Sequence, residues 1–316
     1  INLAAMMIQT GSPQDRPEQY FAVDPETVSL DGKNLIYLYV ESLELNYLNK
    51  DLFPGLTPNL QRLRNEATDF TNIRGMWGTS WTIAGMVSSQ CGIPLISPGE
   101  NNSTSGTGQF LPKAVCMGDI LKSQGYALHY MGGAALTFAG KGLFYRDHGF
   151  NHIEGVDSLL AKTPNPDYRN WWGLYDDSLY ALLTTRIERL ASLEQPFALF
   201  SLTLDTHHPK GNVSSSCRNS LYLDGSNPIL NAVHCADQLI AKFPSENRKP
   251  INMPSSMLFT NATIWTCSRD GKLKNGELFI ENGKISVLGK AIKNVDRSKI
   301  KVIDLKGKHV TPGIID

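Results

Sequence analysis

Long apolar runs are missing from this sequence. The apolar stretch at its start, INLAAMMI at residues 1–8, is far too short to span a bilayer. It also lacks the charged flank and cleavage site of a signal peptide. Neither charge is in excess, since 30 Lys and Arg balance 30 Asp and Glu and only 19% of residues are charged. That excludes a nucleic-acid-binding stripe and an acidic tail. It leaves room for a locally basic site that takes an anion. Neither H-E-x-x-H nor a pair of C-x-x-C motifs occurs, so the common zinc patterns are excluded. A P-loop is excluded as well: Gly133 lies seven residues before Gly140, and Gly142 stands where Ser or Thr is required. Cysteine is scarce, with five residues: Cys91, Cys116, Cys217, Cys235 and, further downstream, Cys267. The first four allow three connectivities. Loop proximity favours Cys91–Cys116 and Cys217–Cys235, each bridge contributing about 3 kcal/mol through loop entropy. Four buried thiols in a reducing compartment are the alternative.

What is present suits a sizeable core. The chain has 316 residues, 41% of them hydrophobic, which fits two domains. It begins with Ile, so an upstream part is expected. Residues 1–33 read as a polar N-terminal arm. NLIYLYV at 34–40 reads as a strand buried on both faces, stopping at Glu41 and Ser42. TPNLQRLRNEA at 57–67 has helical spacing, with Pro58 suited to the first turn. DILKSQG at 119–125 is a short helix ended by glycine, and YALHYM at 126–131 is a second strand stopping at Gly132 and Gly133. An amphipathic helix is predicted over 176–191, a third buried strand over 196–204, and a further helix over 229–243. This alternation predicts an α/β fold, a mostly parallel sheet with helices on both faces. Ligands of such sheets bind at the carboxyl ends of the strands. There the sequence gathers Glu41, the Gly132-Gly133 pair, and Asp205, Thr206, His207 and His208. Residues 244–256 read as a linker with three prolines. From 257 the texture becomes short strands: 258–265, 276–288 with an Asn-Gly turn at 281–284, and 301–305.

Several residues are candidates for chemistry. Thr79, Ser80 and Thr82 crowd the start of the helix WTIAGMVSSQ at 81–90. Thr79 or Ser80 as a helix cap is one reading. The other is a hydroxyl nucleophile at a helix N-terminus that favours an anion. Glu41 directly follows buried residues, where a carboxylate is costly unless paired or metal-bound; the alternative is that the strand has surfaced. Lys141, between Gly140 and Gly142, is either a solvated loop lysine or a phosphate contact. The adjacent His207 and His208 raise the odds of a catalytic role only modestly.

Together these stretches carry a resemblance. YLYVESLE at 37–44, GTSWTIAGMVSSQCGIP at 78–94, MGGAALTFAGKGLF at 131–144, WGLYDDS at 172–178, LDTHHP at 204–209 and SNPILNAVHC at 226–235 are similar to the phosphoglycerol transferase family of periplasmic glucan synthesis. That family belongs to the sulfatase and alkaline phosphatase-like superfamily, with lipoteichoic acid synthase as a relative. The resemblance covers residues 34–243. It implies Glu41 and Thr79 as ligands of one divalent metal ion (Mn, Mg or Zn), and Thr79 as the nucleophile. It also implies Lys141, His207 and Ser80 as substrate contacts, with His207 catalytic. The implied substrates are phosphatidylglycerol and glucan, at the periplasmic face of a bacterial inner membrane, with membrane contact through upstream helices. The family supplies an Asp-His metal pair after the helix that ends near Phe243. None follows here, so metal binding is expected to be weak and turnover impaired. Asp147-His148 is an earlier pair and reads as structural.

The remainder resembles something else. GELFIENGKISVLG at 276–289 and VIDLKGKHVTPGIID at 302–316 are similar to the N-terminal β unit of an amidohydrolase such as dihydroorotase, without its His-x-His metal pair. The expectation is a junction of two incomplete genes. A non-catalytic remnant that binds phosphate or glycan through Thr79, Lys141 and His207 is the second reading, and a carbon–nitrogen hydrolase the third.

Overall fold

The computed structural model describes residues 32–67, 69–70, 81–95, 108–243, 255–266, 271–282, 284–307 and 309–310. Four strands form a parallel sheet: β1 (Leu35–Tyr39), β2 (Ala127–Gly132), β3 (His152–Glu154) and β4 (Phe197–Leu202). Their order across the sheet is β1-β4-β2-β3. Tyr39 pairs with Leu202 and Leu202 with Gly132, so the carboxyl ends of these three strands reach one rim together.

The continuous apolar run of β4 has a simple cause. Ala198, Phe200 and Leu202 face a core with Ile83, Met86, Val87, Leu121, Phe144 and Tyr145. The alternate residues Phe197 and Leu199 face a second core with Leu179, Leu183, Cys235, Leu239 and Ile240. Both faces are covered, so the two-residue period of a strand leaves no polar face. Burying Phe200 alone contributes about 1.5–3 kcal/mol. The helices on the first face are α2 (Thr82–Cys91), α3 (Met117–Ser123) and α4 (Lys141–Asp147), and those on the second include α5 (Val156–Leu160), α6 (Asp176–Ala191) and α7 (Pro228–Lys242). The remaining helix, α1 (Pro58–Glu66), has Pro58 in its first turn and is held to α7 by Asp237, which accepts from the backbone N–H groups of Asn59 and Leu60.

The structure corrects several expectations. The 34–40 strand is not buried on both faces: β1 is the sheet's edge, and Ile36 is 37% exposed. The cap position of helix α2 is Trp81, whose side chain makes no capping bond; the capping expected of Thr79 or Ser80 lies outside the described residues. The glycine-flanked loop expected around Lys141 is a helix whose Phe144 and Tyr145 are fully buried. Packing overrides the local glycine signal there.

A second sheet follows. It contains β5 (Ser256–Trp265), β6 (Lys272–Glu281), β7 (Lys284–Gly289), β8 (Lys301–Asp304) and β9 (His309–Val310). The order is β7-β6-β5-β8, with β9 also pairing β5. The turn expected at 281–284 within the 276–288 stretch is found: Asn282, with a φ of +50°, lies where β6 turns back into β7.

Candidate functional site

Glu41 leaves β1 at the carboxyl rim and is 9% exposed. Its surroundings are hydroxyls. Ser42 Oγ donates to Oε1 at 3.0 Å, and Thr82 Oγ1, in the first turn of α2, donates to Oε2 at 3.0 Å. Its backbone N–H donates to Thr203 Oγ1 at 3.2 Å, and Thr206 Oγ1 donates to its carbonyl. Both oxygens of a nearly buried carboxylate thus have a donor, which offsets its desolvation. The carboxylate lines a cavity of about 230 Å³ with Tyr37, Tyr39, Ser42, Thr82 and Gly85.

Lys141 is 2% exposed. Its ammonium donates to the Phe138 carbonyl at 2.9 Å and lies 4.7 Å from the centre of the Phe138 ring. Burial lowers its pKa from 10.5 to about 8, while the negative charge of Glu41 pulls it back up. It is therefore no solvated loop lysine. A buried cation within electrostatic reach of a buried carboxylate can hold an anion's charge once that carboxylate is engaged elsewhere.

His207 follows β4. Its ring stacks on Trp172 at 3.9 Å, and its Nδ1 lies 2.8 Å from the His208 carbonyl. The loop carrying it is braced from below by two carboxylates. Asp176, at the start of α6, accepts from the backbone N–H groups of Leu204 and Asp205 at 2.7 and 3.1 Å. Asp205 in turn accepts from the Asp176 N–H, from Asn170 Nδ2 and from Ser214 Oγ. Both side chains are fully buried. Burial pushes both carboxyls above the usual carboxylate range, helped at Asp205 by the charge of Asp176 and at Asp176 by the charges of Asp177 and Glu41. Sequence reasoning missed this brace. Its one signal was an acidic residue at a helix start paired with an Asp-Thr step at a strand end.

Thr79 and Ser80 lie outside the described residues. Glu41 and Lys141 come within electrostatic reach of each other, and His207 is joined to Glu41 through Thr206. Cys91 is bonded to Cys116, and Cys217 to Cys235. His148 is buried between Asp119, 2.8 Å from its Nδ1, and the Phe110 carbonyl, 3.2 Å from its Nε2. Cys116, Asp119 and His148 form the one cluster of potential metal donors among the described residues. The disulfide occupies the Cys116 sulfur. At the strand-end cavity the described residues offer a divalent ion a single carboxylate, Glu41, with the Lys141 cation within its electrostatic reach. Zinc takes about four ligands and harder cations about six. The described donor set does not fit such an ion.

Three comparisons bear on this geometry. A family model described as Sulfatase matches residues 33–251. Phosphoglycerol transferase I of Citrobacter koseri is 42% identical over 255 residues, 78% of this chain and 33% of that protein. Its Salmonella typhimurium counterpart gives the same values. The chain thus spans about one third of the length of the curated relatives it matches. Among solved structures, a protein in the alkaline phosphatase superfamily from Vibrio parahaemolyticus superposes with a TM-score of 0.51 at 27% identity, covering 67% of this chain and 49% of that one. The lipoteichoic acid synthase LtaP from Listeria monocytogenes superposes with a TM-score of 0.50 at 19% identity, covering 71% and 56%, a likeness of fold.

Proposed function

This chain belongs to the sulfatase family, and we propose that it is the catalytic part of a phosphotransferase that moves phosphoglycerol from phosphatidylglycerol to a glucan. The observation that carries this reading is the hydrogen bond between Glu41, at the carboxyl end of β1, and Thr82 in the first turn of α2, with buried Lys141 within electrostatic reach of that carboxylate. The 42% identity to phosphoglycerol transferase I supports it. In this reading Thr79 Oγ attacks the phosphorus of the lipid. A threonine–phosphorus bond forms, the bond to diacylglycerol breaks, and the threonine proton ends on the departing alcohol. An acceptor hydroxyl then attacks the same phosphorus, and Thr79 regains a proton. Lys141 offsets charge on the phosphoryl oxygens, and His207 contacts the substrate from the β4 loop. No step is assigned to a metal ion, because the described donors fall short of holding one. The setting is the periplasmic face of an inner membrane, which suits two disulfides. No helix among the described residues is long and apolar enough to cross a membrane.

The test is release of diacylglycerol from labelled phosphatidylglycerol, with transfer of label to glucan. Thr79→Ala should abolish both and trap no labelled protein. Wild-type turnover in that variant would end the nucleophile assignment. A second reading, a binder of phosphate groups without turnover, is favoured by the short donor set around Glu41. Glycerophosphate binding that is lost in Lys141→Ala, from a wild type that shows no turnover, is the outcome that selects it.

A further inference from the structure

We propose that Trp171, Trp172 and Arg169 form a carbohydrate-binding shelf beside His207. The cavity they line with Asn170, Gly173 and Ala135 holds about 450 Å³, within the range of about 300–1,000 Å³ typical of small-molecule sites. Trp171 is 89% exposed, the most exposed large apolar side chain among the described residues. An indole left in water on a rigid support is a cost unless something covers it.

The support is rigid. Gly173 has a φ of +143°, and a Cβ there would lie 2.1 Å from the Gly133 carbonyl. Leu174 N–H donates to that carbonyl at 3.0 Å, so the loop is clamped to the end of β2. Asn170 Oδ1 accepts from the backbone N–H groups of Trp172 and Gly173, which fixes the turn that presents both indoles.

The chemistry selects a sugar. A pyranose has a flat C–H face that suits an aromatic plane and a rim of hydroxyls that needs donors and acceptors. Trp171 supplies the exposed plane, and Trp172 lines the same cavity. Arg169 is exposed at the same cavity and forms no ion pair among the described residues, so its guanidinium donors are available. A membrane-inserting patch fits less well. Asp167, two residues before Arg169, carries a charge that an anionic bilayer repels.

The shelf also points at the reaction site. Trp172 stacks on His207 at 3.9 Å and meets the edge of Phe138 at 6.1 Å, and the Lys141 ammonium lies over that same Phe138 ring. A glycan resting on the indoles has its hydroxyls next to the groups assigned to phosphoryl transfer. Naming this glycan the acceptor rests on the function proposed above; the binding itself does not.

The experiment is calorimetric titration of the full chain with a linear β-glucan hexasaccharide. The wild type should bind. Trp171→Ala should weaken binding about fivefold or more, the loss of one ring contact, and Arg169→Ala by a smaller factor. Both side chains are exposed, and circular dichroism checks that the variants stay folded. Absence of binding in the wild type, or equal affinity in Trp171→Ala, overturns the shelf. Loss of attachment to phosphatidylglycerol vesicles in Trp171→Ala with glycan affinity unchanged also overturns it, in favour of a membrane contact. Glycan binding in a chain whose Thr79 proves dispensable keeps the shelf and removes only the transfer reading.

Discussion

Replacing Lys141 by Met tests whether a buried charge is being held at the expense of stability. The two side chains have similar length, so packing changes little. In the native chain burial brings the lysine to about 8 from 10.5. A lowering of about 2.5 pH units, at about 1.4 kcal/mol each, is a penalty of about 3 kcal/mol on the charged form. The substitution also removes the bond to the Phe138 carbonyl, a loss of about 1 kcal/mol. Lys141→Met should therefore be more stable than wild type by about 2 kcal/mol at pH 7. The sign with pH follows from proton binding. The unfolded chain keeps this proton up to about pH 10.5, the native chain only to about 8. Wild-type stability thus gains relative to the variant as pH rises through that window. The gap should close by about 2.5 kcal/mol between pH 7 and pH 10, a change in which the lost hydrogen bond cancels. Urea unfolding of both proteins at pH 7, 8.5 and 10 reads it directly. A gap that stays constant with pH, or a variant less stable at pH 7, would falsify the placement of an ionised lysine in this core.

Other consequences follow from the same geometry. Glu41→Ala should leave divalent-metal affinity nearly unchanged, because a single carboxylate holds such an ion poorly, measured by titrating Mn, Mg and Zn; tight wild-type binding lost in the variant would contradict this. The carboxyls of Asp176 and Asp205 are raised, so the native state holds a proton that the unfolded chain has released. That contribution is full in acid and fades as pH rises towards 7. Asp176→Asn should flatten the fall in stability between pH 4 and pH 7, and an unchanged slope would refute the pairing. Breaking Cys217–Cys235, which closes a separation of 18 residues, should cost about 3 kcal/mol, read as a lowered urea midpoint of Cys217→Ala/Cys235→Ala.

Much of the sheet was legible because burial on two faces leaves a direct trace. The run at 196–204 reads as a covered strand, and β4 is completely buried. The helix at 176–191 was readable to the residue because its apolar spacing and acidic start agree. The edge position of β1 was not readable, since pairing partners are set by topology and not by composition. Lys141 was misread for a related reason. Glycines at 140 and 142 signal a loop locally, but Phe144 and Tyr145 anchor a helix from a distance. Of the site, Glu41 stood out as a carboxylate ending an apolar run. Its hydroxyl neighbours Thr203 and Thr206 come from a strand more than 160 residues away, and no local pattern announces them. The exposed Trp171 was passed over because a single indole inside a polar loop has no periodicity to flag it.

Helix α2 is fastened at both ends. Thr82 holds Glu41 at one, and Cys91 is bonded to Cys116 at the other. Between them Gln90 Nε2 donates to the hydroxyls of Tyr39 and Tyr145. One residue inserted between Ile83 and Ser89 would rotate one end against the other by about 100° and lengthen the rod by about 1.5 Å. No rotation then satisfies the carboxylate and the disulfide at once. The ten residues of this helix therefore act as a caliper. Evolution can exchange its side chains but cannot change its length without moving the threonine away from the rim.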